Sequence, residues 1–174
     1  MDMWGIDSEV AEVKLLSAMV TFLKSVGLTH QDVALKINSR LVITELLTAL
    51  GVPDSKFAAM CVLVDKLEKV PIDALQQDME DIGLERSVVE QLMTLIAVNK
   101  IDDIRKILGD KSPAVQQIQT LLQLCHSYRL DDWIVFDASI VPGLSYYTGV
   151  VFEAVDWTGT LRAIAGGSRY DMYW

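Results

Sequence analysis

Apolar positions recur every three to four residues through most of the chain and, past about residue 130, every second residue. Val10, Val13, Leu16, Val20 and Leu23 form one helical stripe, with Asp7 and Ser8 as cap chemistry before it and Gly27 as its stop. Val33-Ala34-Leu35-Lys36-Ile37-Asn38 alternates as a strand does, and Ser39 or Asn38 can then cap a helix over residues 40–50 that Gly51 ends. Residues 53–128 are almost wholly helical in pattern, punctuated by Asp54, Pro71, Gly83 and Gly109, and five short helices fit the span. Within it, Ser87-Val88-Val89-Glu90 has the form of a capping box and Ser112-Pro113 that of a cap and first helical residue. Phe57, Met60, Val64, Leu92, Ile118 and Leu121 keep core spacing, which explains them better than a cofactor box does.

The period-two text predicts strands over residues 133–137 and 146–155, a turn at Trp157-Thr158-Gly159, and a returning strand over residues 160–165. Aromatic residues and glycines gather in this last stretch, as they do where a sheet is approached closely by backbone or ligand.

Composition narrows the function classes. The 174 residues are 51% hydrophobic, with four prolines and ten glycines, so the chain can bury a substantial core and is neither disordered nor collagen-like. Lys and Arg number 15 against 24 Asp and Glu, a formal charge of −9, which disfavours attraction of nucleic acid over the whole surface. No apolar run approaches the ~18 residues of a membrane span, and the start has neither signal-peptide nor transit-peptide character. Cys61 and Cys125 are far apart and lack a CxxC partner, which fits a reducing compartment and argues for no zinc site.

The usual catalytic arrangements are missing: no GxSxG, Walker or GxGxxG segment occurs. His30 and His126 have no metal-spaced partner, and Cys125 and His126 point to different helix faces. Asp102-Asp103 and Asp131-Asp132 read as helix-start charges and a solvated turn. Two segments go beyond core packing. Tyr146 and Tyr147 stand at a strand mouth between Gly143 and Gly149, and Gly166-Gly167-Ser168-Arg169-Tyr170-Asp171 ends the returning strand. Were these strands neighbours, the small residues would leave a slot in which phenol hydroxyls orient a small polar ligand, the alternative being a glycine-relieved turn with surface tyrosines.

At these residues the sequence resembles histidyl-tRNA synthetase, a class II aminoacyl-tRNA synthetase family. Gly143-Leu144-Ser145-Tyr146-Tyr147-Thr148-Gly149 resembles the family motif RGLxYYTG, and residues 166–171 resemble GGGRYD. Met1-Asp2-Met3-Trp4-Gly5 and the helix after it resemble the strand and helix that follow the family's motif 2. The resemblance implies an α+β fold, part of a class II antiparallel-sheet core with a helical insertion: residues 1–52 and 129–174 belong to the core and 53–128 to the insertion. It implies histidine–tRNA ligase chemistry, in which ATP with Mg activates histidine and the histidyl group passes to its tRNA. It further implies a homodimer, no membrane, and a cytoplasmic location or an organellar parent. Asp2, Tyr146, Tyr147, Gly166, Gly167 and Tyr170 are the implied substrate-binding residues, Asp2 contacting histidine, Tyr147 and Tyr170 lining the imidazole pocket, and the glycines giving backbone clearance. Imidazole offers one donor and one acceptor, which phenol and carboxylate groups can satisfy.

The departures matter as much. Pro142 stands where the family motif opens with arginine, so no catalytic residue is assigned, and loss of such a preorganised cation typically costs on the order of 3 kcal/mol or more in the transition state. Ser168 replaces a motif glycine. Residues 131–174 carry two cationic side chains, Arg162 and Arg169, too few for a triphosphate. Motifs 1, 2 and 3 are absent. The reading is therefore a fragment or degenerate copy of the ligase, inactive as this isolated chain. The alternatives are a non-catalytic regulatory or histidine-sensing module, and a helical interaction domain over residues 53–128.

Overall fold

A computed structural model describes residues 1–67, 70–141 and 146–171. Helix α1 (Val10–Ser25) sets Val13, Leu16, Val20 and Leu23 into the core, as their spacing predicts. It ends where Gly27 adopts φ +86°, which lets the Gly27 and Leu28 amides turn back to the carbonyls of Lys24 and Leu23. Strand β1 (Val33–Ser39) leads directly into α2 (Arg40–Ala49), with the Ser39 hydroxyl accepting from the Leu41 amide at 3.2 Å. Gly51, at φ +73°, closes α2 in the same manner as Gly27 closes α1.

The helical stretch contains α3 (Phe57–Val64), α4 (Ile72–Asp81), α5 (Arg86–Ile96), α6 (Ile101–Leu108) and α7 (Pro113–Ser127), the five helices its pattern predicts, with a short 3-10 turn at Asp54–Lys56 ahead of them. Helix α2 is their pivot. Ile43 and Leu47 pack with Met60, Leu75, Met79, Leu92 and Ile96 in one cluster, while Val42 and Leu46 pack with Ile104, Val115 and Ile118 in another. Ser112 caps α7 through the Val115 amide with Pro113 at the first helical position, and the Glu45 carboxylate takes the Ser112 hydroxyl at 2.5 Å and the Ala114 amide at 2.9 Å. An acid is thus held at the positive end of α7.

Past a second 3-10 turn, Asp131–Trp133, come β2 (Ile134–Phe136), β3 (Val150–Asp156) and β4 (Ala165–Ser168). With β1 they form a four-stranded sheet in the order β2-β1-β3-β4. The fold is α+β, but the sheet is mixed rather than wholly antiparallel: β2 runs parallel to β1, because α2 to α7 return the chain to the end of the sheet from which β1 started. Val33, Leu35, Ile37, Phe152 and Ala154 share the face covered by α1 and the Leu121–Cys125 end of α7. Lys36 and Asn38 lie on the other face, where Lys36 pairs with Asp137 at 2.9 Å and the Asn38 amide donates to the carbonyls of Ala138 and Ile140.

Several local expectations give way. Neither Asp7 nor Ser8 caps α1, whose N-cap is Glu9 without a side-chain bond. The Ser87 capping box does not form, because α5 starts two residues too early for it, with Glu85 at the N-cap, and Glu90 pairs with Arg86 instead. The third strand begins at Val150 rather than Tyr146: the Thr148 amide is taken by the Arg169 carbonyl, and the Gly149 carbonyl by the Arg40 amide at the head of α2. The returning strand is Ala165–Ser168, not residues 160–165. The Asp156 carboxylate gathers the Thr158 hydroxyl and the Thr160 and Leu161 amides, which wraps the chain into a longer turn before pairing resumes. Met1 to Gly5, all described, form no strand; a side-chain bond from Tyr170 to Asp2 ties them to the sheet region.

Candidate functional site

The strands carrying the two glycine-and-tyrosine segments are neighbours, with Phe152 opposite Gly167 and Val151 opposite Ser168. Beside them lies an open cavity of about 610 Å³, bounded by the N-terminal segment, one side of α1, Phe152, β4 and Tyr147. Asp2, Tyr147, Gly166, Gly167 and Tyr170 all line it. Tyr146 does not: it is 40% exposed and meets Tyr147 edge to face, ring centres 4.9 Å apart. Pro142, Gly143, Leu144 and Ser145, including the position where an arginine was expected, fall outside the described residues.

Asp2 and Tyr170, far apart in sequence, meet at this cavity. The Tyr170 hydroxyl donates to the Asp2 carboxylate at 2.6 Å, a bond that keeps the phenol protonated above its ordinary range. Burial, with the Tyr146 ring alongside, raises the Tyr147 phenol as well. Both tyrosines therefore present neutral hydroxyls at physiological pH. Gly167 admits no side chain, since a Cβ there would stand 2.6 Å from the Phe152 ring, and one at Gly166 would press on the Phe152 carbonyl at 3.1 Å. The clearance is taken up by the protein's own aromatic floor, which is what cross-strand glycine–aromatic pairing provides. Ser168 fits without distortion, its hydroxyl donating to the Val150 carbonyl at 3.0 Å.

Arg169 is not a spare cation. Its guanidinium grips Glu12 of α1 through Nε at 2.7 Å and Nη2 at 2.9 Å, and Nη2 also donates to the Ser8 carbonyl at 2.8 Å. The two side chains are 12% and 6% exposed. Among the described side chains lining the cavity Arg169 is the one cation, and it is committed to Glu12. A triphosphate with its Mg does not fit that donor set. The cavity's other polar groups include phenols, carboxylates, the Ser168 hydroxyl, the Trp4 indole and strand backbone, over the apolar surface of Phe152, Leu15 and Met19. Such a lining suits a small, flat, hydrogen-bonding ring that carries an amine.

Sequence reasoning missed Phe152 and Glu12. Phe152 was hidden in an ordinary strand alternation. Glu12 carried a readable signal, because it lies four residues before Leu16 on the buried side of α1, where an acid needs a partner. The other candidates are structural. His126 Nδ1 sits 2.8 Å from Asp131, and the Trp157 indole donates to the His30 carbonyl at 2.7 Å, tying two turns together. Cys61 and Cys125 are buried free thiols, and burial pushes Cys125 up to about 12. No group of three or more His, Cys, Asp and Glu suited to a metal occurs among the described residues, and none of their helices is long and apolar enough to cross a membrane.

Comparison with known proteins bears directly on these residues. A profile of the family described as Histidyl-tRNA synthetase matches residues 2–173. The chain is 43% identical over 171 residues to the chloroplastic/mitochondrial histidine–tRNA ligase of Arabidopsis thaliana, covering 98% of this chain and 35% of that protein. It is 34% identical to the histidine–tRNA ligase of Opitutus terrae, covering 98% of this chain and 40% of that one. Among solved structures, histidyl-tRNA synthetase from Nostoc sp. PCC 7120 superposes with a TM-score of 0.81 at 21% identity, over 94% of this chain and 40% of that chain. An ATP phosphoribosyltransferase regulatory subunit/histidyl-tRNA synthetase from Bacillus halodurans C superposes with a TM-score of 0.77 at 21% identity, over 96% of this chain and 44% of that chain. At those identities the superpositions speak to the fold alone.

Proposed function

The chain belongs to the histidyl-tRNA synthetase family, and on that premise we propose that its cavity is a histidine-recognition site of a histidine–tRNA ligase. The observation that carries the proposal is the 2.6 Å bond between Tyr170 and Asp2 on the wall of a cavity that Tyr147 and Gly166-Gly167 also line. Imidazole presents an N–H and a lone pair to these hydroxyl and carboxylate groups, Asp2 meets the α-ammonium, and Phe152 lies beneath the ring. An amino acid with an apolar side chain would displace water from these polar groups without hydrogen-bonding to them, which is the basis of discrimination. Residues 1–52 and 129–174 serve as parts of the catalytic core, and residues 53–128 as the insertion, with α7 fastened to the sheet.

The chain spans about 35–40% of the length of the curated relatives it matches. Activation of histidine with ATP and Mg, transfer to tRNA and homodimer formation are proposed for the whole ligase, in the cytoplasm or, as the Arabidopsis relative suggests, in an organelle. This chain by itself performs neither step, because Arg169 is engaged and the cavity's described lining holds no second cation for the α-phosphate. The relatives at 43% and 34% identity are both histidine–tRNA ligases, and the regulatory alternative is not favoured.

Calorimetry on the purified chain tests the reading. L-Histidine and L-histidinol should bind and L-phenylalanine should not, whereas equal heats for all three, or none, would overturn it. Pyrophosphate exchange dependent on histidine and ATP should be absent; its presence would overturn the claim of inactivity.

A further inference from the structure

The cavity is assembled from parts distant in sequence, and one buried ion pair touches most of them. Arg169 reaches α1 through both oxygens of Glu12 and through the Ser8 carbonyl, while Asp7 and Asp171 each stand 3.5 Å from its Nη1. Its backbone is equally engaged: the carbonyl takes the Thr148 amide at 2.9 Å, and the amide donates to the Val150 carbonyl at 3.1 Å. The aliphatic stem passes over Gly149, where a Cβ would meet Cδ at 3.2 Å. A second link joins the same segments, the Thr148 hydroxyl donating to Asp171 at 3.2 Å. Tyr147 precedes Thr148 and Tyr170 follows Arg169, so each phenol hangs one residue from the backbone bond that joins their segments.

We propose that the Glu12–Arg169 pair is a positioning device that sets the spacing and direction of Tyr147, Tyr170 and Asp2, and thereby the cavity's selectivity for an imidazole-bearing amino acid. The chemistry favours this role over simple fastening. A planar guanidinium gripping a carboxylate through two nitrogens fixes orientation as well as distance, which a hydrophobic contact between α1 and β4 would not do. The pair is nearly dry, so solvent does not loosen it, and removing one member leaves the other buried without its counter-charge. Lysine at position 169 would keep the charge and lose the fork. Selectivity that depends on phenol hydroxyls within hydrogen-bond reach depends on this geometry.

The inference rests on the histidine-site reading, and its test separates the two. The chain is labelled with [13Cζ]tyrosine, and the ionisation of Tyr170 is followed by NMR in the wild type and in Glu12→Gln, Arg169→Lys and Asp2→Asn; histidine affinity is measured in parallel by calorimetry. In the wild type the Tyr170 phenol should ionise above about 10, the ordinary tyrosine value, and Asp2→Asn should bring it down. Glu12→Gln should bring it down as well, although position 12 does not touch the phenol, and should weaken histidine binding about tenfold or more, the scale of a lost charged hydrogen bond. If Glu12→Gln unfolds, Arg169→Lys supplies the same readout with the charge retained. A folded variant whose Tyr170 ionisation and histidine affinity match the wild type overturns the positioning role. A wild type that binds no histidine, yet whose Tyr170 ionisation responds to Glu12→Gln, overturns the histidine-site reading and leaves the clamp standing.

Discussion

The helical block built on α2 and the cavity wall built on β3 and β4 hold themselves together by different means. The block is a layer of Leu, Ile, Val and Met whose partners are set by shape, and its clusters contain fully buried Leu75, Leu92, Ile96 and Ile104. The wall has glycines where side chains would pack, a phenylalanine lying over one of them, and a forked ion pair crossing to α1. Hydrophobic burial is non-directional and tolerates adjustment, whereas hydrogen-bonded ions tolerate little. The difference shows where stability and recognition come from: the block supplies a rigid base, and the wall supplies a geometry.

That contrast is most easily broken by shrinking the block. Leu92→Ala removes a fully buried side chain from among Leu47, Leu75 and Met79 and should cost about 2–5 kcal/mol in urea unfolding, while histidine affinity of the folded fraction stays unchanged. A cost under about 1 kcal/mol would mean that the cluster collapses around the gap and is not a close-packed core.

Gly167→Ala attacks the wall instead. Its new methyl would meet the Phe152 ring at 2.6 Å, so ring or strand must move, and overpacking of this kind costs about 1–3 kcal/mol. Because Phe152 also floors the cavity, this change should lower histidine affinity as well as the urea midpoint; a loss of stability with affinity intact would remove Phe152 from the site. Glu45→Ala tests the joint between α2 and α7 within the block. It strips the Ser112 hydroxyl and the Ala114 amide of their acceptor at the start of α7 and should cost about 1–2 kcal/mol, the range of a lost helix cap, read from the same unfolding curves.

The two regions differed as much in how they could be read. Helices α1 to α7 were legible because a stripe of apolar residues has only one way to be buried, and Gly27, Gly51 and Ser112-Pro113 marked ends that backbone chemistry enforces. The Ser87 box was a false signal, since Arg86 and Glu90 satisfy each other when the helix starts earlier. At the wall, period two could show that strands exist but not where pairing resumes. That depended on Asp156 collecting turn amides, a contact between residues two to five apart that leaves no trace in hydrophobicity. Tyr146 and Tyr147 are neighbours in sequence, and only the path of the chain through Thr148 decides that Tyr147 faces the cavity. The tie between Tyr170 and Asp2 spans nearly the whole chain, and family resemblance rather than pattern pointed to both residues.

The smallest expected effect on stability belongs to that tie, and it sharpens the comparison because it should appear only in a pH profile. The Tyr170 phenol is raised chiefly by its bond to Asp2, so the neutral form is the one that folding favours. The sign follows: the bond's contribution is fully present below the unfolded phenol value of about 10 and is lost as pH rises through the higher folded value. The urea midpoints of the wild type and Tyr170→Phe should therefore differ by a small constant from pH 8 to 9.5 and converge above pH 10, the subtraction cancelling the other tyrosines. The block's cluster does contain a thiol, Cys61, which burial pushes above its ordinary value. Leu92→Ala and the wild type share it, so the gap between those two should not close. A Tyr170→Phe gap that widens with alkali would place the phenolate, not the phenol, in the folded structure. The hydroxyl proton that holds Asp2 against the cavity wall would then be missing.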